Sequence, residues 1–67
     1  MNIRINGEVR TLSGAPTLAA LIESLGMKSD RVAVELNRDI VSRERWPDIS
    51  LKDGDQIEIV HFVGGGR

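Results

Sequence analysis

The sequence predicts a two-layer α+β fold, in which one helix lies across one face of a mixed sheet of four or five strands. Apolar and polar residues alternate at both ends of the chain, as they do in half-buried strands. One segment between them instead repeats apolar residues at helical spacing. A hairpin, a helix and then more strands is the element order of a two-layer α+β domain.

The first hairpin is indicated by alternation on both sides of a turn signal. Residues 2–6 alternate, with Ile3 and Ile5 on one face. The Asn6-Gly7 pair that follows is typical of a two-residue hairpin turn, because both residue types tolerate positive φ. Residues 8–12 then return as the second strand, and we expect Val9 to face the helix with the two isoleucines.

The helix is predicted over residues 17–25. Its apolar stripe consists of Leu18, Leu21, Ile22 and Leu25. Thr17 can accept a hydrogen bond from a free backbone N–H of the first turn. Gly26 stands where a left-handed residue ends a helix, and Met27 can pack back on the last turn, as in a Schellman motif.

The second half of the chain predicts the remaining strands. Residues 32–36 form a strand, residues 40–41 a short return strand, and residues 42–47 an irregular segment. One helical turn is expected at residues 48–51. Residues 56–63 form the last strand, which is apolar on both faces and therefore central. If it pairs in parallel beside the first strand, the fold is the ubiquitin-like β-grasp.

Alternation divides the strand residues between two faces of the sheet. The face toward the helix is predicted to hold Ile3, Ile5, Val9, Val34, Leu36, Ile57 and Ile59. The open face is predicted to hold Arg4, Arg10, Ala33, Glu35, Glu58, Val60 and Phe62. Val60 and Phe62 are apolar and adjoin the glycines at the chain end. We therefore predict that they dock a partner, with packing under a loop as the alternative.

The chain end predicts a division into a folded domain, residues 1–63, and a flexible tail, residues 64–67 (Gly-Gly-Gly-Arg). Three consecutive glycines have no side chains to pack and lose much backbone entropy when ordered. The tail is therefore predicted to enter another protein or to react at its end. A frayed terminus is the alternative.

Composition excludes several classes of function. The 67 residues include no cysteine and one histidine, so disulfides, thiolate sites and a thiol nucleophile are excluded and no metal site is expected. Nine basic and ten acidic residues give no general reason to bind nucleic acid or a membrane surface. No apolar run approaches the ~20 residues of a membrane span, and the first residues lack a secretion signal. We expect a cytoplasmic protein.

Several polar and aromatic residues have structural interpretations. His61 is expected on the helix side as a structural or half-exposed residue rather than a catalytic base. Trp46 is expected to cover the edge of the core rather than stack on a ligand. Arg43 is expected in a solvated stretch, and Asp53 and Asp55 in turn chemistry rather than metal binding.

Three stretches carry a resemblance to a known family. They are residues 37–46, with Ile40-Val41, Arg43 and Trp46 in the family's spacing, the Asp-Gly-Asp at residues 53–55, and residues 57–66, which end in glycines. The chain resembles the ThiS family of ubiquitin-like sulfur carriers in thiamine biosynthesis. The small subunit of molybdopterin synthase shares the fold and tail but is usually longer. A ubiquitin-like protein modifier is a further alternative.

The resemblance implies a sulfur carrier that is a co-substrate rather than an enzyme and holds no permanent cofactor. A ThiF-type adenylyltransferase would use ATP and magnesium to adenylate the terminal glycine. A cysteine desulfurase or other persulfide donor would supply sulfur, giving a thiocarboxylate that a ThiG-type thiazole synthase consumes. The reactive residue would be Gly66, and partner-binding residues would be Val60, Phe62, Gly64 and Gly65.

Arg67 departs from the family pattern, in which the chain ends at glycine. Adenylation at an arginine carboxylate should fail or be slow. Arg67 is therefore interpreted as a residue trimmed before activation, a tolerated extra residue, or a remnant of protein expression. We favour the first and third interpretations, and both make Gly66 the reactive residue.

Overall fold

The structure, a computed structural model, describes residues 1–62. The predicted tail at residues 64–67 and the predicted end of the domain at Val63 lie outside the described residues. The strands are β1 (Asn2–Ile5), β2 (Glu8–Thr11), β3 (Val32–Leu36), β4 (Asp39–Val41) and β5 (Gln56–His61). The helices are α1 (Leu18–Ser24) and two 3₁₀ helices, Ser29–Arg31 and Arg43–Asp48.

The five strands form one mixed sheet in the order β2-β1-β5-β3-β4. β1 and β5 pair in parallel, whereas β1 with β2, β3 with β4 and β3 with β5 pair antiparallel. The parallel pair of first and last strands, with β5 central, confirms the predicted β-grasp. The sheet has the larger of the two predicted strand numbers.

Both hairpins turn through two residues with positive φ. These are Asn6 (49°) and Gly7 (86°) in the first hairpin, and Asn37 (51°) and Arg38 (75°) in the second. Two positive φ values define the type I′ turn, whose twist matches that of the flanking strands. The Asn-Gly prediction is confirmed, and the second hairpin uses the same turn with an arginine in the glycine position.

Val9 corrects one predicted orientation. The two-residue turn pairs Arg4 with Val9 and Ile3 with Arg10. Directly opposite residues share a face, so Val9 lies on the open face with Arg4 and is 59% exposed. The residues of β2 do alternate between the two faces, as predicted. The length of the turn decides which residue lies on which face, and it places Val9 on the open face and Arg10 on the helix side, the reverse of the prediction.

The predicted caps of α1 are confirmed. The Thr17 hydroxyl accepts a hydrogen bond from the backbone N–H three residues later, at 3.1 Å. At the other end Gly26 has φ of 74°. The Gly26 N–H donates to the Glu23 carbonyl at 3.0 Å and the Met27 N–H to the Ile22 carbonyl at 3.4 Å, the bond pattern of a Schellman motif.

The core lies between α1 and one face of the sheet. Its buried members are Ile3, Ile5, Leu18, Leu21, Ile22, Val32, Val34, Trp46, Leu51, Ile57 and Ile59. These include Leu18, Leu21 and Ile22 of the helix stripe and inward residues of β1, β3 and β5, as the alternation predicted, whereas Leu25 and Leu36 are only partly buried. Among residues 1–62, no helix has the length and apolar character needed to cross a membrane.

The segment after β4 differs from prediction. Residues 43–48 form a 3₁₀ helix that contains Pro47. The helical turn expected at residues 48–51 is absent, because Ile49 is extended and Ser50 forms an isolated antiparallel bridge with Thr17. Trp46 is 3% exposed, and its indole N–H donates to the Val41 carbonyl at 3.1 Å. Burial of this large ring outweighs the local preference of a residue that precedes proline.

Two asparagine side chains bind the backbone of β5. Asn6 accepts a hydrogen bond from the Ile59 N–H at 2.7 Å and donates to the Ile59 carbonyl at 3.2 Å. Asn37 accepts from the Gln56 N–H at 2.9 Å. Each turn therefore also pairs with the central strand, which satisfies backbone groups that the neighbouring strands leave free.

Replacing Asn6 tests this pairing. Asn6→Ala removes both hydrogen bonds. It also leaves alanine, which lacks the polar side chain that lets asparagine tolerate this conformation, at a positive φ. We expect a loss of roughly 2–4 kcal/mol in the free energy of unfolding, measured by urea denaturation. Asn6→Gly keeps the turn relaxed and isolates the lost bonds, so its loss should be roughly 1–3 kcal/mol. A glycine variant as stable as the parent would contradict the assignment.

Arg38 offers the converse test, because it occupies the position that Gly7 fills in the first hairpin. Arg38→Gly should raise the free energy of unfolding by roughly 0.5–1 kcal/mol, since relief of the left-handed strain exceeds the entropy of the added glycine. Arg38→Ala keeps the Cβ and is the matched control, with no gain expected. Equal stability of the two variants would show that the turn is not strained.

Candidate functional site

The last residues of β5, the central strand, lie at one end of the sheet. The Phe62 N–H donates to the Arg31 carbonyl at 2.8 Å, so the backbone is held against the start of β3 up to this residue. Gly64, Gly65 and Gly66, predicted as partner-binding and reactive residues, lie outside the described residues. The body therefore fixes the point from which the predicted reactive end departs.

Val60 and Phe62, the two predicted docking residues inside the described range, are both exposed. Val60 is 60% exposed and Phe62 is 54% exposed. Val60 stands opposite Ala33 on the open face, and Phe62 continues the alternation of β5. The structure thus brings both side chains to one end of the open face, as alternation predicted.

Ile40 belongs to the same surface, and the sequence analysis missed it. Its side chain is 80% exposed and stands opposite Glu35 across β3 and β4. The available signal was the second two-residue turn, which pairs Leu36 with Asp39 and so places Ile40 on the open face. Val9, Ile40, Val60 and Phe62 are the exposed large apolar residues of the described chain. The three that lie in strands are all on the face away from α1.

Two carboxylates stand opposite each other in the middle of this face. Glu35 on β3 is the direct partner of Glu58 on β5. Directly opposed side chains in an antiparallel pair have Cβ atoms about 4.5–5.5 Å apart. Both residues were predicted on the open face, but their pairing follows only from the register.

The other polar candidates have structural partners. Asp53 accepts a hydrogen bond from the Asn2 N–H at 2.6 Å, and Asp55 accepts from the Lys52 N–H at 2.8 Å and the Asn37 amide at 3.0 Å. These bonds hold the turn before β5 against β1 and the second hairpin. Within residues 1–62, no group of three or more acidic or histidine side chains could hold a metal ion.

His61 and Arg43 complete the set of residues singled out from the sequence. His61 is exposed and stands opposite Val32, on the helix side of the sheet as predicted. Arg43 donates to the Ser29 carbonyl at 3.4 Å and so connects the two 3₁₀ helices. Neither residue lies on the open face with Val60.

A shallow cavity of about 310 Å³ lies on the helix side, away from the open face. Its lining residues are Ala19, Ile22, Glu23, Met27, Ser29 and Trp46. The lining offers one carboxylate and one hydroxyl, and it includes neither a histidine nor a basic residue. The features of the described chain that suit a functional site are therefore the open face and the end of β5.

Comparisons with known proteins agree with this geometry. The ThiS family model matches residues 3–66. A thiazole synthase of Paramagnetospirillum magneticum is 46% identical over 98% of this chain, which spans only 20% of that relative's length. The sulfur carrier protein ThiS of Bacillus subtilis is 40% identical, over 96% of this chain and 98% of its own length.

The fold comparison points the same way. The crystal structure of the thiamine biosynthesis protein ThiS from Geobacter metallireducens superposes with a TM-score of 0.84, at 35% identity, over 98% of this chain and 100% of that chain. The likeness covers the whole sheet and helix rather than a local motif. Together with the family match over residues 3–66, it shows that the chain belongs to the ThiS family.

Proposed function

We propose that this chain is the sulfur carrier of thiamine biosynthesis and that the sulfur is bound to the carboxyl carbon of Gly66 as a thiocarboxylate. The observation that supports this most directly is the family match, which extends through the three glycines to residue 66. The Bacillus relative of nearly equal length is named a sulfur carrier. The chain acts as a co-substrate that is regenerated, and catalysis belongs to its partners.

The chemistry needs only a free glycine carboxylate on this chain. An α-carboxylate is ionised at neutral pH and is a poor electrophile. Attack of this carboxylate on the α-phosphorus of ATP releases pyrophosphate and gives an acyl adenylate, in which AMP is a good leaving group. The terminal sulfur of a cysteine persulfide then attacks the acyl carbon and displaces AMP. A thiol cleaves the resulting acyl disulfide, frees the thiocarboxylate, and ends as a disulfide.

Three partners follow from this sequence of steps. A ThiF-type adenylyltransferase, using ATP and magnesium, activates Gly66, and a cysteine desulfurase or related donor provides the persulfide. A ThiG-type thiazole synthase takes the sulfur. No cofactor is held permanently by this chain, because each step is carried out in a partner's active site.

The reach of the chain limits where a partner can dock. From Phe62 to Gly66 a fully extended chain spans at most about 14 Å. A partner that acts on Gly66 must therefore contact the body close to the end of β5. Val60 and Phe62 are the exposed apolar side chains there, which supports their role in docking the adenylyltransferase.

Gly66 can react only in a chain from which Arg67 is absent. Glycine suits a narrow active site because a Cβ would obstruct entry and restrict the extended backbone. With Arg67 attached, the carbonyl of Gly66 belongs to a peptide bond, so Gly66 has no free carboxylate to adenylate. We propose that Arg67 is removed before activation if the cellular chain is made with it.

Val60→Ser and Phe62→Ser, singly and together, test the docking role. We expect each substitution to raise the KM for this chain in the adenylation reaction about tenfold, because apolar surface that contacts the enzyme is lost. Thermal unfolding should change little, since both side chains are exposed. Pyrophosphate release is the assay.

Val9→Ser is the matched control for docking. Val9 is exposed to the same degree on the same face, but it lies on the edge strand β2. Its KM should stay within about twofold of the parent value. An equal effect at Val9, or none at Phe62, would mean that the end of β5 is not the docking surface.

The tail is tested with two chains that differ only in Arg67. Each is incubated with ATP, magnesium, a cognate adenylyltransferase and a persulfide source, and intact mass is measured. The chain ending at Gly66 should gain the mass difference of one oxygen replaced by one sulfur. The chain ending at Arg67 should remain unchanged, and equal loading of both would reject the requirement for trimming.

A further inference from the structure

The turn of the first hairpin combines a reactive sequence with a fixed conformation. In an asparagine-glycine pair, the backbone nitrogen of the glycine can attack the carboxamide carbon of the asparagine side chain, because glycine has no Cβ that obstructs the approach. The attack forms a cyclic imide, a succinimide, and releases ammonia. Asn6 is the one asparagine of the sequence that precedes a glycine, so this chemistry is directed to Asn6-Gly7.

The native contacts of Asn6 oppose this reaction. Its backbone N–H donates to the Ile57 carbonyl at 2.9 Å. Its side-chain oxygen accepts from the Ile59 N–H at 2.7 Å, and its side-chain nitrogen donates to the Ile59 carbonyl at 3.2 Å. Rotation of the side chain toward the Gly7 nitrogen breaks both bonds to Ile59, so the reaction requires that Asn6 first leaves β5.

Release of Asn6 from β5 requires opening of the sheet rather than of a loop. β5 is the central strand, between β1 and β3. Ile57 and Ile59, which hold Asn6, have buried side chains in the core, and separation of β5 from the first hairpin exposes both. Exposure of core residues is characteristic of global unfolding rather than of local fraying. The rate of reaction at Asn6 is therefore set by the population of the unfolded chain.

The second hairpin provides an internal comparison. Asn37 occupies the same position of a type I′ turn, with φ of 51° where Asn6 has 49°. Its side-chain oxygen likewise accepts a backbone N–H of β5, that of Gln56, at 2.9 Å. The next residue is Arg38, whose side chain obstructs attack by its backbone nitrogen. The two turns therefore share their conformation and their attachment to β5, but only the first has the reactive sequence.

We propose that Asn6 is a deamidation site that its pairing with β5 protects, and that it reacts only when β5 separates from the first hairpin. The Gly7 nitrogen bonds to the carboxamide carbon of Asn6, the bond from that carbon to the side-chain nitrogen breaks, and the Gly7 proton leaves with the ammonia. Water then opens the succinimide at either carbonyl carbon and returns a proton to the Gly7 nitrogen. The products are aspartate or isoaspartate; one water is consumed, one ammonia is released, and no electrons are transferred.

Neither product restores the native pairing with β5. An ionised aspartate has acceptors only, so it keeps the bond from the Ile59 N–H but turns its second oxygen toward the Ile59 carbonyl, to which the Asn6 amide donates. Isoaspartate adds a methylene to the backbone of a turn whose length sets the strand register. The modified chain is therefore less stable and unfolds more often. This inference is independent of the proposed function, because it concerns the lifetime of the folded chain.

The experiment incubates the full chain at mildly alkaline pH, folded in buffer or unfolded in guanidinium chloride, and maps deamidation after trypsin digestion. Trypsin cuts after arginine, so Asn2, Asn6 and Asn37 fall in separate peptides, residues 1–4, 5–10 and 32–38. The peptide with Asn6 should gain the mass difference between an amide and a carboxyl group at least about tenfold faster in the unfolded chain. The peptide with Asn37 should change slowly in both conditions. Equal rates at Asn6 in the two conditions, or no reaction in the unfolded chain, would overturn the inference.

Ile22→Val distinguishes global opening from reaction within the folded turn. Ile22 is a buried residue of α1, and the substitution leaves a small cavity without altering the turn. Deamidation of Asn6 in buffer should be about fivefold faster, because the unfolded population rises. Glu23→Gln, at the exposed position beside it, is the control, with a rate within about twofold of the parent rate. A parent rate in Ile22→Val would show that the folded turn reacts, and the inference would be wrong.

Asn6→Asp makes one of the two products directly and tests its effect on the fold. We expect the Tm of this variant to lie at least about 4 °C below that of the parent chain, because the bond to the Ile59 carbonyl is lost and an oxygen faces it. Thermal unfolding followed by circular dichroism gives the Tm. A variant that melts with the parent chain would overturn the inference that the modification weakens the fold.

Discussion

The hydrogen bonds between two turn asparagines and β5 are the interaction on which the rest of the structure depends. β5 is the central strand, and it pairs in parallel with β1 and antiparallel with β3. Asn6 and Asn37 each adopt a positive φ that closes a hairpin. The side-chain oxygen of each also accepts a hydrogen bond from a backbone N–H of β5. The same residues therefore make the turns and set the position of the strand between them, so each local choice agrees with the global fold.

The two faces of the sheet have different roles: the face under α1 stabilises the fold, and the open face is free to present other residues to solvent. The face under α1 holds the buried apolar residues and supplies the hydrophobic stabilisation. The open face contributes little to the core, so it can hold Ile40, Val60 and Phe62 in solvent and tolerate the opposition of Glu35 and Glu58. In the proposed function the body acts as a recognition surface, and the reactive carbon lies a short distance past the last residue that the sheet holds.

Sequence patterns correctly predicted those structural features that depend on residues close together in the chain. The helix with its threonine cap and Schellman motif, the Asn-Gly turn and the inward residues of β1, β3 and β5 all follow from spacing and backbone preference. The 3₁₀ helix at Arg43–Asp48 was missed, because it forms where Trp46 is buried against α1 and not where local preference favours a helix. Val9 was placed on the wrong face, because alternation gives the period of a strand but not its phase relative to a neighbour.

By itself the sequence determined the fold class, the exposure of Val60 and Phe62 beside a run of glycines, and the resemblance that the family match confirmed. Only the tertiary structure decided that Ile40 shares their surface, that Glu35 stands opposite Glu58, and that asparagine side chains pair with β5. The physical reason is that periodicity and caps arise from neighbours along the chain, whereas register joins residues far apart in sequence. A shift of one residue in pairing would place each of these side chains on the other face.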